Sequence, residues 1–291
     1  MPTNWIGNIK LTGETEILDN DGTKLHDLIP CNQGAGVLVD KELYPVLASK
    51  LPKVLVGEGA LLTSSASWAT GLATAGDTIW VIDRSNKLAI AYDLGGVPAP
   101  DRNISLSNVP LPYKAFCTES ALWILDDSSG TSGTYYEYGF NGAYVGSHFI
   151  SGGRAISGTW DGTHFWLYHQ YINNGTLRQY DSNWVHTGVS HTFSFTAGES
   201  SAIANDFTST EYILITDSGG ANVFKVDKLT GTEIATAVNY SAFDMASSVD
   251  KLYMLGGSNT PVKQWGASAN VPNMAAPAGS PHPYKIIADK T

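Results

Sequence analysis

A unit of about forty residues recurs along the chain, and no other feature of the sequence restricts its fold as tightly. Four short apolar stretches share one shape: "DTIWVID" ending at Asp83, "SALWILD" at Asp126, "THFWLYH" at His169 and "EYILITD" at Asp217. A fifth, "DKLYMLG", ends at Gly256. Aligning Trp80, Trp123, Trp166, Leu214 and Tyr253 gives successive spacings of 43, 43, 48 and 39 residues. Before each stretch stands a run of small residues, such as "TGLATAG" or "RAISGTW". After each comes a turn and a further strand-like run that ends in an apolar or aromatic residue followed by a turn-former. Examples are Tyr92-Asp93, Phe140-Asn141, Tyr180-Asp181 and Val226-Asp227. Asp161-Gly162 and Asn174-Gly175 supply hairpin turns within the third unit.

Each unit therefore reads as three to four antiparallel strands, the size of one β-propeller blade. Small residues suit strands crowded round an axis, and large aromatics fill the wedge between neighbouring blades. The expected fold is all-β: a propeller of five blades over residues 63–271, with room for a divergent sixth in the flanks. A β-sandwich with chance regularity is the competing architecture. A parallel solenoid has shorter rungs and would not show this hairpin chemistry.

Composition narrows the function classes. Apolar residues make up 43% and charged residues 15%, which gives enough core material for a folded chain. The net charge is −10 with no Lys/Arg cluster, so neither nucleic acid nor an anionic membrane is an expected partner. No apolar run approaches the roughly 18 residues of a membrane span, and the start "MPTNWIGNIKLTG" lacks a secretory pattern. The expectation is a soluble protein made in a cytoplasm, with no membrane insertion. Cys31 and Cys117, 86 positions apart with no CxxC, read as reduced buried thiols.

The ends lack the repeat. Residues 1–62 read as a separate module, with a hairpin turn at Asn20-Asp21-Gly22. Its "DNDGT" is no calcium loop, since the twelfth position from Asp19 is Pro30 where an acid is needed. Pro45 suits the first turn of a short helix whose stripe is Leu43, Leu47 and Leu51. The order "PCN", Gly-rich turn, "VDKELYPVL", "KLP", "GEG" over Leu28–Gly59 resembles the tail-collar motif of phage short tail fibres. Residues 272–291 are a Pro-rich segment and a final strand, "YKIIAD", similar to the last strand of many fibre modules and expected to pack back on the N-terminal module.

That resemblance implies a virion structural protein of a phage tail or tail fibre, made in the host cytoplasm and resident in the virion. The terminal module would attach it, and the propeller would present loops for host attachment. Implied partners are other virion tail proteins, a host surface polysaccharide or protein, and two further copies in a homo-trimer. The rivals are an architectural capsid-decoration or baseplate part without receptor binding, and a metal-dependent propeller enzyme, a lyase or lactone hydrolase.

Candidate chemistry is sparse. Asp83, Asp126 and Asp217 recur at one blade position and read as turn residues that bond their own backbone; a ring of carboxylates on one face is the alternative, which His169 and Gly256 interrupt. Four of seven histidines, His164, His169, His186 and His191, fall in the third unit, where strand alternation separates the members of each five-apart pair. They read as solvent-facing or hydrogen-bonded side chains. No catalytic residue, metal site or cofactor is expected, and the chain is read as no enzyme. Tyr113, Tyr135, Tyr136, Tyr168, Tyr171 and Trp184 exceed what the aligned core positions require. They are the candidates for stacking on a glycan or receptor, with packing between blades as the alternative.

Overall fold

Each repeat folds as an antiparallel sheet in which the small-residue run is the first strand and the aromatic stretch the second. The computed structural model describes residues 55–269, apart from 129–132, 152, 171–174, 196–200, 218–221, 241 and 257–259, and describes five short backbone strands before residue 53. Blade 1 is Ala69–Ala75, Thr78–Asp83, Leu88–Asp93 and Ile104–Ser105; blade 2 is Pro112–Cys117, Ala121–Asp126, Gly133–Gly139 and Tyr144–Ile150. Blade 3 is Ala155–Trp160, Phe165–His169, Thr176–Tyr180 and His186–Thr192; blade 4 is Ile203–Asn205, Tyr212–Thr216, Asn222–Asp227 and Glu233–Asn239. Blade 5 takes Asp244–Ser247, Leu252–Leu255 and Val262–Ala269 from its own repeat, and its outer strand, Lys53–Leu62, from the N-terminal side. The inner strands pack in sequence round an axis, and that of blade 5 packs on that of blade 1. The ring is a five-bladed β-propeller, closed by a strand from the far end of the sequence.

The second strands have no alternation because neither face meets water. Thr78–Asp83 and Ala121–Asp126 are buried along their whole length. Five hydrophobic clusters fill the five wedges, and the aligned repeat position supplies one side chain to each. Trp80 lies between blades 1 and 2, Trp123 between 2 and 3, and Trp166 between 3 and 4; Leu214 lies between 4 and 5, and Tyr253 between 5 and 1. In blades 1 to 4 the turn-former after the third strand works through its side chain. Asp93 accepts from the Gly95 and Val97 amides at 2.9 and 2.8 Å, and Asp181 does the same for Asn183 and Val185. Asp227 accepts from Leu229 and Thr230, and Asn141 from Ala143.

The chain divides into two compact units, Leu55–Ala267 and the combined ends Met1–Val54 with Ser268–Thr291. Lys53–Leu62, which the sequence reading placed in the N-terminal module, thus completes blade 5. The helix expected from Pro45 is instead the strand Glu42–Leu47, the third of a small sheet with Asp27–Cys31 and Gly34–Val39. Its Pro45 pairs with Gly36 and its Leu43 with Leu38. Tyr44 and Val46 favour extended backbone, and pairing with the preceding run outweighs a four-residue apolar stripe. The expected Asn20-Asp21-Gly22 turn and the final "YKIIAD" strand lie outside the described residues.

Candidate functional site

Five inner strands present unpaired edges to the axis, and those backbone groups need partners away from water. Side chains from other blades provide some of them. The Asp244 carboxylate of blade 5 accepts from the Leu72 amide of blade 1 at 2.8 Å and the Ala115 amide of blade 2 at 3.4 Å. Lys114 of blade 2 donates to the Ser201 carbonyl ahead of blade 4, and Thr74 of blade 1 donates to the Ser247 carbonyl of blade 5 at 2.7 Å. Ser157 of blade 3 accepts from the Ile203 amide of blade 4, and Asn205 of blade 4 donates back to the Trp160 carbonyl of blade 3.

Lys114 and Asp244 are both fully buried. Burial pushes the Asp244 carboxyl well above the usual carboxylate range, against the opposing pull of the Lys114 charge and three backbone amides. Among the described residues its Oδ1 has no hydrogen-bond partner. The Lys114 ammonium also lies 5.2 Å from the Phe243 ring centroid. Alternation along "PYKAFC" gives no hint of this lysine. The inner strand slips register between Pro112 and Ala115, and such a bulge re-aims the side chains beside it. Inner strands 1 and 3 slip at the corresponding places, between Ala69 and Gly71 and between Ala155 and Ser157.

The five turns that follow the inner strands line one cavity of about 1260 Å³. Its wall combines half-buried aromatic rings, Phe140, Trp160 and Phe207, with amide, hydroxyl and carboxylate groups. The Trp160 indole N–H donates to the Glu119 carboxylate at 2.7 Å, and its ring lies 4.5 Å from that of Phe165. Most acids here are spoken for. Asp77 pairs with Arg102 at 2.6 Å, Asp161 with Lys228 at 3.1 Å, and Asp206 with Lys225 at 2.6 Å. Asp161 also accepts from the Trp166 indole. Although burial opposes it, these bonds and Lys228 hold the carboxyl down at about 2. Cys117 reaches this cavity, and burial raises its thiol far above the ordinary range, which makes it a poor nucleophile.

The carboxylates at the ends of the second strands are turn anchors. Asp83 accepts from the Ser67 amide at 2.8 Å and from the Ser85 and Asn86 amides at 3.0 and 3.1 Å. Asp126 accepts from Leu111 and Ser128 in the same way, and Asp217 bonds Asn222. Each thus joins the loop entering its blade to the turn leaving the second strand, or braces that turn alone. At the same position of blade 3, buried His169 bonds the Gly153 carbonyl at 3.3 Å and the Tyr180 hydroxyl at 3.2 Å. Desolvation, with the nearby Arg178 charge, holds its imidazole down at about 4. His186 bonds Val189 and Ser190, His191 the Lys228 carbonyl, and His164 the Thr163 hydroxyl. Among the described residues no three His, Cys, Asp or Glu side chains converge in a metal-binding group.

The described aromatic candidates fall elsewhere than the cavity wall. Tyr113, Tyr135 and Tyr168 are 4%, 1% and 0% exposed and pack between blades, so they offer no ring face to a ligand. Tyr136 is half-buried beside Tyr144. Trp184, at φ 62°, folds over the blade 2–3 wedge, 4.1 Å from Phe165 and 5.2 Å from His148. Tyr171 lies outside the described residues. Trp160 and Phe207 went unremarked in the sequence. The available signal was positional: Ala75, Cys117, Trp160, Asn205 and Ser247 all end an inner strand, and all five line the cavity.

Comparison with known proteins bears on the fold. No family model matches the chain, and no curated protein matches it. The glutaminyl cyclase of Myxococcus xanthus superposes with a TM-score of 0.55 at 12% identity, over 75% of this chain and 97% of that one. A structural genomics protein of unknown function from Bacteroides thetaiotaomicron gives 0.50 at 8% identity, over 82% and 83%. The PQQ-bound aldose sugar dehydrogenase of Streptomyces coelicolor gives 0.47 at 9% identity, over 75% and 99%. At such identities the likeness establishes a propeller architecture and nothing narrower.

Proposed function

We propose that the chain is a non-catalytic recognition propeller, and that the cavity formed by the five inner-strand turns binds a saccharide of a cell surface. The carrying observation is that all five turns line one cavity, with half-buried Trp160, Phe140 and Phe207 beside the Glu119 carboxylate and the Asn205 amide. Sugar rings present an apolar face to aromatics and hydroxyls to such polar groups. The phage-tail setting is supported by the motif over Leu28–Gly59, and the strand at Glu42–Leu47 removes the helix from that resemblance. In that setting the terminal segments meet other tail proteins and the cavity faces the host.

The metal-dependent lyase or lactone hydrolase needs ligands from several blades converging on the axis. There the buried groups instead bond backbone edges, and Asp83 and Asp126 are held in turns. Calorimetric titration against a panel of surface oligosaccharides tests the proposal. The expected result is a dissociation constant on the order of 0.1–1 mM or tighter for one class, weakened at least about tenfold by Trp160→Ala. Binding untouched by Trp160→Ala and Phe207→Ala, or turnover of the bound sugar, overturns it.

A further inference from the structure

The cavity formed by the five inner-strand turns has a definite charge and a definite hydrogen-bonding sense. Five acids, Asp77, Glu119, Asp161, Asp206 and Glu211, line it, and among the described residues Arg102 is their one basic neighbour in the lining. Arg102 pairs with Asp77, while Lys228 and Lys225, which lie outside the lining, pair with Asp161 and Asp206. Among the described residues no cation pairs with Glu119 or Glu211, so two of the five acids keep an uncompensated charge. Glu119 is also fixed in place. The Trp160 indole N–H donates to its Oε2 at 2.7 Å, which sets a carboxylate at the edge of a half-buried aromatic ring. Its Oε1 lies beside Gly162, which has no side chain to cover it.

Donors on the wall are mostly spent within the protein. Thr74 donates to the Ser247 carbonyl, Thr118 to the Ala121 carbonyl and Thr208 to the Asp206 carboxylate. Arg102 donates to Asp77 and Thr78, and the Asn205 amide to the Trp160 carbonyl. What the wall offers a ligand is therefore chiefly acceptors and negative charge. A carboxylated or sulfated saccharide would find few donors to replace its water, and would meet Glu119 and Glu211 as like charges. An ammonium group brings three donors and a positive charge, which suits both a carboxylate and the face of an adjacent indole. The net charge of −10 on the whole chain draws such a ligand in.

We propose that Glu119 is the specificity-determining residue of this cavity, and that the saccharide it selects carries a free primary amine. The inference rests on the saccharide reading above and adds to it the chemical class of the sugar. The sugar ring lies on Trp160, and its ammonium bonds the Glu119 carboxylate at the ring edge.

Calorimetric titration of the full chain at neutral pH and low salt compares a glucosamine tetramer, its fully N-acetylated form, a galacturonate tetramer and tetralysine. The amine form is expected to bind at least about fivefold tighter than the N-acetylated form, with the ratio falling as salt is raised. Glu119→Gln keeps an oxygen for the Trp160 N–H but removes the charge, and should bring that ratio toward one. Trp160→Ala should weaken both sugars. Equal affinities, a preference for the galacturonate, or a ratio unchanged in Glu119→Gln overturns the inference, while Trp160-dependent binding of any of the sugars still upholds the saccharide reading. Tetralysine binding as tightly as the amine sugar overturns it too, since the cavity would then take any polycation. Absence of binding by all three sugars overturns this inference, and the wider oligosaccharide panel then decides the saccharide reading.

Discussion

Replacing Lys114 by methionine removes a cation whose charge acts on the buried Asp244 carboxylate. The methionine matches the aliphatic stem, so the perturbation is charge with little change in volume. Asp244 is left fully buried, with the Leu72 and Ala115 amides as partners and an orphaned Oδ1. The bond from Lys114 to the Ser201 carbonyl is lost as well. Breaking one side of a buried pair costs about 3–5 kcal/mol, whereas replacing both sides with uncharged groups is close to neutral. Lys114→Met alone should therefore remove a large part of a stability on the order of 5–15 kcal/mol. Lys114→Met/Asp244→Asn should return most of it, because an Asn oxygen still accepts from both amides. Urea unfolding followed by tryptophan fluorescence reads this directly, with the single variant expected to lose more than about 1 M in midpoint. A single variant within about 0.5 kcal/mol of the parent, or a double variant as unstable as the two singles combined, refutes the claim that this pair holds the axis together.

Two further outcomes follow from buried groups. His169 stays neutral in the folded chain down to about pH 4 and in the unfolded chain to its ordinary 6.5, so between those values the unfolded state binds more protons. Its contribution, about 3 kcal/mol, is fully present above pH 6.5 and lost as pH falls to 4. The raised carboxyl of Asp244 acts in the opposite sense, losing stability as pH rises through part of the same range, so the comparison must be between the parent and His169→Gln. Their stability difference, measured by denaturant titration at several pH values, should shrink as pH falls from 6.5 to 4; a constant difference contradicts the buried neutral imidazole. At Gly71 an added Cβ would sit 2.6 Å from the Tyr113 carbonyl oxygen and 2.9 Å from the Lys114 Cα. Gly71→Ala should therefore cost about 1–3 kcal/mol by forcing two inner strands apart, and a thermal midpoint unchanged from the parent would show that the strands are not so close.

What was legible in the sequence was local and repeated. The alignment through Trp80, Trp123, Trp166, Leu214 and Tyr253 found the second strand of every blade, because each of those residues faces the same environment, a wedge between two sheets. The turn role of Asp83, Asp126 and Asp217 was equally local, since the acceptors and their amides lie within one blade and its entering loop. What escaped was long-range. Lys53–Leu62 joins Val262–Ala269 across about two hundred residues, and no local pattern announces such a pairing. The aromatic candidates failed for a related reason. Tyr135 and Tyr168 look surplus within one unit and are consumed by the neighbouring blade, which a single-unit view does not contain. Lys114 was hidden by a bulge that breaks the alternation on which an outward placement would rest.

Inter-blade hydrogen bonds cross the axis of the propeller, and the recognition surface proposed for it is the cavity at the five inner-strand turns. Hydrogen–deuterium exchange, with and without the oligosaccharide that binds in calorimetry, tests it most directly. The account predicts slowed exchange confined to the stretches 74–78, 117–119, 160–162, 205–211 and 247–249, with the strand interiors unchanged. Protection on the opposite ends of the strands, around Arg84, Asp127 and Arg154, would contradict it, and so would the failure of every surface saccharide to bind.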